Sequence, residues 1–308
     1  MKLKTNATFD PKKVLLSDAK TGELPEEIGD IVIDNVSNDS LVSKLGKVEP
    51  MDTQVKKFTY LAEGAGAYWV GEGEKIQVES AKWLPAELKA NKIGVIIPVS
   101  KEFLNFTVHD FFTQIRPYIE ESIRNKIDMT TFFGGDDSPW GAGKSIVEKA
   151  KAAGNTLTAT ADTYDDINKL IALLEADDHT PQALVTTPSK NVDLRGARDN
   201  NNLPIFNDAR DGVTARALGL PVLYANKKSY DKKKADIITG DFDFLRYGIP
   251  KGIEYSISEE ATLSTIKGED TQPINLWERD LIALKVTMYY GFMTLKDDAF
   301  AVLEPKAQ

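Results

Sequence analysis

Apolar and polar positions change period several times along the chain, and each change marks an element. Phe58 and Tyr60 alternate with Lys57 and Thr59, the two-residue period of a half-buried strand. Trp83, Leu84, Leu88 and the run Ile93-Gly94-Val95-Ile96-Ile97-Pro98-Val99 bring the chain back as a second strand, so residues 53–99 are expected to form a long hairpin. Between the strands lies Gly64-Ala65-Gly66-Ala67-Tyr68-Trp69-Val70-Gly71-Glu72-Gly73-Glu74, where four glycines supply no side chains to a core. A hairpin this long, with Lys, Glu and Gln along it, cannot bury both faces in its own domain. That predicts a projecting loop packed on another molecule.

The period then switches to helical. Phe103 and Leu104, then Phe111, Ile115, Tyr118, Ile119, Ile123 and Ile127, recur at three- and four-residue steps over residues 100–133. Glu120, Glu121, Arg124, Lys126 and Asp128 are assigned to the opposite, polar face. Pro117 falls inside this pattern, where proline removes a backbone hydrogen bond, so a kink there or a helix start just before it is expected. Gly134-Gly135 ends the helix. Ahead of the hairpin, Asn38 or Asp39 is expected to cap a short helix with Leu41, Val42 and Leu45 as its apolar face, stopped by Gly46. Residues 1–38 carry Pro11, Pro25, scattered charge and short clusters such as Val14-Leu15-Leu16. They read as an arm ordered by lying on something else, with a frayed terminus as the alternative.

From about 155 to 262 helix and strand alternate. Asp162 caps a helix carrying Ile167, Leu170, Ile171, Leu173 and Leu174; Ala183-Leu184-Val185 is a short buried strand; Pro188 opens a helix with Val192 and Leu194. Leu218 to Leu223 and Ala235 to Ile238 read as further strands of a mixed α/β unit. Leu281 to Leu303 is strand-rich: Ile282, Leu284 and Val286 alternate, Lys296-Asp297-Asp298 turns, and Phe300 and Val302 alternate again. No internal repeat is evident.

Composition narrows the function. The chain of 308 residues is 42% hydrophobic and 28% charged, ordinary for a folded soluble protein large enough to bury a core without staples. It has no cysteine, which removes thiol catalysis, Cys-ligated zinc and iron–sulfur clusters. Acidic residues (47) outnumber basic ones (38), a formal charge of −9, the reverse of a protein built to grip nucleic acid. No run is long and apolar enough to cross a bilayer, and the basic start Met1 to Asn6 is not followed by the apolar stretch of a secretory signal. A soluble protein made in the cytoplasm is expected.

Candidate chemistry is sparse. Gly141-Ala142-Gly143-Lys144-Ser145 resembles the end of a phosphate-binding loop, but Ser138 stands where the first glycine belongs, and a helix rather than a buried strand precedes it. His109 and His179 have no partner pattern and read as solvated or helix-terminal. Five acidic pairs, Glu120-Glu121, Asp136-Asp137, Asp165-Asp166, Asp177-Asp178 and Glu259-Glu260, are spread along the chain as solvated faces rather than acid–base dyads. Lys227-Lys228 and Lys232-Lys233-Lys234 form one basic cluster, by default a solvated loop and, if the protein lines a DNA-filled space, a contact to it. No catalytic residue, cofactor site or metal site is expected.

Four segments carry a resemblance. Gly66-Ala67-Tyr68-Trp69-Val70-Gly71-Glu72-Gly73, then Ile96-Ile97-Pro98-Val99-Ser100-Lys101-Glu102-Phe103-Leu104, resemble the extended loop and returning strand of tailed-bacteriophage major capsid proteins with the Hong Kong 97-type fold. Thr239-Gly240-Asp241-Phe242-Asp243-Phe244-Leu245-Arg246-Tyr247-Gly248-Ile249 and Asp298-Ala299-Phe300-Ala301-Val302-Leu303 resemble two later segments of that family, in its order, so the likeness spans residues 58–303.

The resemblance implies an α+β fold with an N-terminal arm (1–38), a short helix and connector (39–52), an extended hairpin loop (53–99), a peripheral domain with a long spine helix (100–154), an axial domain (155–262) and returning peripheral strands (263–308). It implies a self-assembling icosahedral shell of hexamers and pentamers around double-stranded DNA, located in the virion and assembled in the bacterial host's cytoplasm. A separate scaffolding protein, or a shorter N-terminal trimming, is implied, because the chain leaves no room for a long scaffolding segment; a portal is a further expected partner. Inter-subunit contacts are expected through Gly66, Tyr68, Trp69, Gly71, Glu72, Gly73, Lys75 and Trp83, and bending during the change from precursor to expanded shell at Pro117 of the spine helix and at the glycines of the extended loop. Lys75, Lys82 and Lys89 lie in the loop that some members cross-link, but no motif marks such a bond and none is expected. An encapsulin-like compartment enclosing an enzyme is the near alternative, and an α/β enzyme built on residues 134–262 the distant one.

Overall fold

The computed structural model describes residues 40–63, 70, 75, 82–135, 138–199, 201–207, 214–264 and 273–306, with backbone alone at 62, 63, 102–114 and 116. In chain order the first elements are α1 (Leu41–Leu45), β1 (Lys47–Val48), β2 (Val55–Glu63), β3 (Lys82–Ser100) and α2 (Lys101–Phe133). There follow α3 (Ile146–Ala153), β4 (Thr156–Thr158), α4 (Thr163–Ala176), β5 (Ala183–Thr186), α5 (Asn191–Gly196), β6 (Phe206–Asn207), β7 (Arg216–Ala217), β8 (Leu220–Tyr224) and β9 (Ile237–Gly240). The chain closes with β10 (Leu245–Gly248), β11 (Glu254–Ser258), β12 (Thr262–Leu263), β13 (Ile274–Asn275), β14 (Leu281–Thr294) and β15 (Phe300–Glu304).

The hairpin and the long helix form as their periods predict. β2 and β3 pair antiparallel from Val55↔Lys89 to Glu63↔Lys82. Farther along, β3 pairs with β14 from Ser100↔Leu281 to Ala90↔Gly291. α2 runs for 33 residues without interruption through Pro117, so the expected helix start at the proline does not occur. It ends where Gly134 turns to φ 66°, a backbone angle that side chains disfavour. The short helix is also present, with Ser40 as its cap position; Asn38 and Asp39 lie outside the described residues.

Two sheets share the core. The first has the order β1-β10-β14-β3-β2, with β11 also on β14; the second runs β4-β15-β9-β5-β8-β7-β6. Ile123, Ile127, Phe132 and Phe133 of α2 are buried with Val286, Met288 and Phe292 of the first sheet and Val185, Ile238, Phe300 and Val302 of the second. On the other face of the second sheet, Ile167, Leu170 and Leu174 of α4 cover Leu184, Ile237, Ala301 and Leu303. β5 and β15 are therefore buried on both faces: β5 reads as a short buried run as expected, whereas β15, expected to alternate at Phe300 and Val302, also buries Ala301 and Leu303.

Three sequence expectations change. β14 and β15 flank the Lys296–Asp298 turn but are not partners: β15 lies between β4 and β9 in the second sheet. Conversely β10 and β11, inside the segment assigned to the axial domain, join β14 in the first sheet, so sheet membership cuts across the expected boundary at 262. Leu218 and Gly219, expected in a strand, form the two-residue turn between β7 and β8, with φ 49° and 83°.

Candidate assembly surface

The β2–β3 hairpin changes character along its length. At its base Leu88 and Ala90 are buried with Met51 against Phe58, Tyr289 and Met293, and Tyr60 donates its hydroxyl hydrogen to Leu295 O at 3.0 Å. Toward the tip no described element covers it. Leu61 pairs with Trp83 across the ladder, and they are 48% and 60% exposed; Leu84, opposite Tyr60, is exposed as well. Leu61 and Trp83 share a face with the Lys57–Glu87 ion pair at 3.5 Å and so form an apolar end to a charged strip. Covering side chains of this size is worth roughly 1.5–3 kcal/mol each, a gain the monomer leaves unused.

Of the loop residues expected to contact neighbours, the structure places Lys75 and Trp83, both exposed. Gly66, Tyr68, Trp69, Gly71, Glu72 and Gly73 lie outside the described residues. Pro117 is exposed on α2, and so is Tyr118, which sequence periodicity had put on the apolar face.

The base of the N-terminal segment is held by a residue that the sequence reading misplaced. Asp128, assigned to the polar face of the long helix, is 3% exposed. Its Oδ1 accepts hydrogen bonds from Ser40 Oγ at 2.6 Å and Val42 N at 3.3 Å, and Oδ2 accepts from Leu41 N at 3.3 Å. The carboxylate thus caps α1 from 86 to 88 positions away, meeting the amides that begin a helix without partners. Burial raises its pKa; the bonds from Ser40, Leu41 and Val42 and the charge of Arg124 oppose that rise. The one sequence hint was its place beside Thr130-Thr131, buried at the covered end of the helix.

The phosphate-loop resemblance is answered by Glu148. Its Oε2 accepts from Gly143 N at 3.0 Å, Ser145 N at 3.2 Å and Ser145 Oγ at 2.8 Å, while Ser145 Oγ caps α3 in return. The loop already holds a carboxylate where an anion would sit. Burial pushes that carboxyl up, but the bonds from Ser145 and Gly143 and nearby Lys234 outweigh it and hold the pKa below the ordinary range.

Of the two readings of His179, solvated or helix-terminal, the second holds: its N donates to Leu174 O at 2.9 Å just past the end of α4, while its ring is buried. It is 5% exposed, edge-on to Phe244 at 5.2 Å, with Nε2 3.3 Å from Asp298 Oδ1 and Nδ1 3.9 Å from Asp241 Oδ2. The side chain of His109 lies outside the described residues. Asp166, one of the paired acids, is buried too, accepting from Thr160 N and Oγ1 at 2.8 Å each. Among the described residues no cluster of three or more His, Asp or Glu side chains is arranged to hold a metal. Nor is any described helix long and apolar enough to cross a membrane.

The phage capsid family model matches residues 23–304. The chain is 40% identical over 298 residues to the major capsid protein of Staphylococcus phage 80alpha, covering 96% of this chain and 89% of that one. It is 24% identical over 270 residues to the probable major capsid protein gp17 of Mycobacterium phage D29, covering 86% and 84%. Among solved structures, a chain of Microbacterium phage Oxtober96 matches with a TM-score of 0.72 at 27% identity, covering 87% of this chain and 91% of that one. The capsid of an empty GTA particle, computed with C5 symmetry, shares the fold with a TM-score of 0.61 at 14% identity, covering 86% and 89%.

Proposed function

The chain belongs to the phage capsid family and is a major capsid protein of a tailed phage, with the Hong Kong 97-like fold; on that premise we propose that its copies close into an icosahedral shell of hexamers and pentamers around double-stranded DNA. The observation that carries this reading is the hairpin tip, where Leu61, Trp83 and Leu84 stand in water on a two-stranded ribbon. Such a ribbon gains its stability from a second surface, and in a shell that surface is a neighbouring copy. The Gly66–Gly73 stretch and Lys75 extend the same contact. No chemistry is required of the subunit: burial of tip and arm on neighbours does the work. A scaffolding protein and a portal guide closure in the host bacterial cytoplasm, and the DNA is enclosed without sequence-specific contacts.

The test is negative-stain electron microscopy of the full chain, co-expressed with its neighbouring phage genes, beside a Leu61→Ser/Trp83→Ser variant. Uniform closed shells from the wild type are expected, with the variant as soluble small oligomers of unchanged circular dichroism. Small discrete particles from the wild type would sink the shell reading. Unchanged shells from the variant would remove the hairpin tip as its carrier.

A further inference from the structure

Five lysines fall between positions 227 and 234, and the fold sorts them by what each already holds. Lys234 is spent internally: its Nζ donates to Phe133 O at 3.3 Å, at the C-terminal, negative end of α2. The other four stand on two tight turns either side of a buried pin. Tyr230 is 5% exposed, packs edge-on to Phe133 with ring centroids 4.8 Å apart, and donates its hydroxyl hydrogen to Val185 O at 3.5 Å. Ser229, 1% exposed, closes the first turn through its N and Oγ on Asn226 O. Asp231 closes the second, accepting from the amides of Lys233, Lys234 and Ala235. The lysine pairs are thus projected from a fixed base.

Little in the described surroundings neutralises them. The side chains of Lys227 and Lys233 are exposed and have no hydrogen-bond or ion-pair partner among the described residues. Lys228 meets Glu121 Oε1 only at 3.7 Å and stays 76% exposed, and exposed Lys232 meets a neutral hydroxyl, Ser189 Oγ, at 2.6 Å. Of the other carboxylates, Asp236 and Asp193 are both engaged by Lys190 at 2.9 Å, and Asp231, between the two pairs, offsets one of the four charges while its Oδ1 accepts from Lys233 N at 2.9 Å. On a chain of net charge −9, this is a local reversal of sign.

We infer that Lys227, Lys228, Lys232 and Lys233 form a phosphate-contacting face for the enclosed duplex DNA, with Lys234 excluded from it. This rests on the shell reading above and names which surface meets the cargo. The chemistry suits that partner. The face holds lysines and no arginine, so it offers point charges rather than the planar fork that reads bases, and contacts phosphate without regard to sequence. Against the acidic remainder of the chain, such contacts are weak and loosen with salt, as a container that must release its genome requires.

The full-length protein is titrated with a fluorescent 30-base-pair duplex of arbitrary sequence over a range of salt, with shells scored separately by microscopy. Three variants are compared: Lys227→Ala/Lys228→Ala/Lys232→Ala/Lys233→Ala, Lys234→Ala alone, and wild type. In the quadruple variant the slope of log affinity against log salt is expected to flatten by about 0.9 for each lysine that meets a phosphate. Lys234→Ala leaves the slope unchanged, and all three still form shells. An unchanged slope in the quadruple variant overturns the inference, as does a loss in Lys234→Ala equal to that of the quadruple variant. Tighter binding to polyglutamate than to DNA also overturns it, in favour of an acidic protein partner. Absence of shells in the wild type instead strikes the reading on which the inference rests.

Discussion

Asp128 fastens the α1 segment to the spine helix through three hydrogen bonds inside the core. Removing it strands the amides of Leu41 and Val42, each of which costs about 1–3 kcal/mol when buried without a partner. Asp128→Ala is therefore expected to lower the unfolding free energy of the soluble chain by roughly 2–4 kcal/mol in a urea titration. Asp128→Asn, which retains one acceptor oxygen, should cost less. The pH dependence has a definite sign. Burial lifts the folded pKa above the unfolded one, so between those two values the folded state binds more protons, and stability falls as pH rises through the window. Both substitutions should abolish that slope; if it survives in them, another group is its source.

The long helix and the hairpin show what an element can carry beyond local propensity. Proline inside a helix costs about 3 kcal/mol, yet α2 continues through Pro117 because its flanks are held, with Ile115 packed on the core and Ile119 buried in it. We propose a proline that survives at this cost, in the longest helix among the described residues, as the bending point of a precursor-to-expanded-shell change. Pro117→Ala should raise the thermal midpoint of the free subunit by several degrees while slowing the change from precursor to expanded shell, followed by light scattering. If the midpoint rises and expansion keeps its rate, the proline is only a tolerated flaw. The hairpin was legible from residues 57–60 because a strand with one wet face alternates; its projection was read from the four glycines between 64 and 74 and the Lys, Glu and Gln along it, not from Leu61 and Trp83.

At the scale of the whole molecule the two sheets and α2 share one buried core, closed by β15. That strand pairs with β4 and β9, and places Phe300 and Val302 in one cluster and Ala301 and Leu303 in the other. Ending the chain at Asp298 removes all four from both clusters at once. The truncated protein is expected to be insoluble or to lose its cooperative melting transition, measured by circular dichroism. A soluble, sharply melting product would mean that the second sheet closes without β15.

The sequence by itself determined the elements: the hairpin, the long helix, the Asp162 cap and the buried Ala183–Val185 strand follow from period, capping chemistry and glycine placement, which act over a few residues. It also carried the family, through segments whose spacing survives along the chain. Only the tertiary structure decided which strands are partners, because pairing is settled by what covers each face rather than by adjacency; hence β14 and β15 part company across a five-residue connection. It alone decided the role of Asp128 and the burial of the His179 ring, whereas Glu148 bonds Gly143 and Ser145 within five positions, a local capping pattern. A charged side chain reads as solvated until a segment tens of positions away arrives to bury it, and nothing in the local pattern announces that arrival.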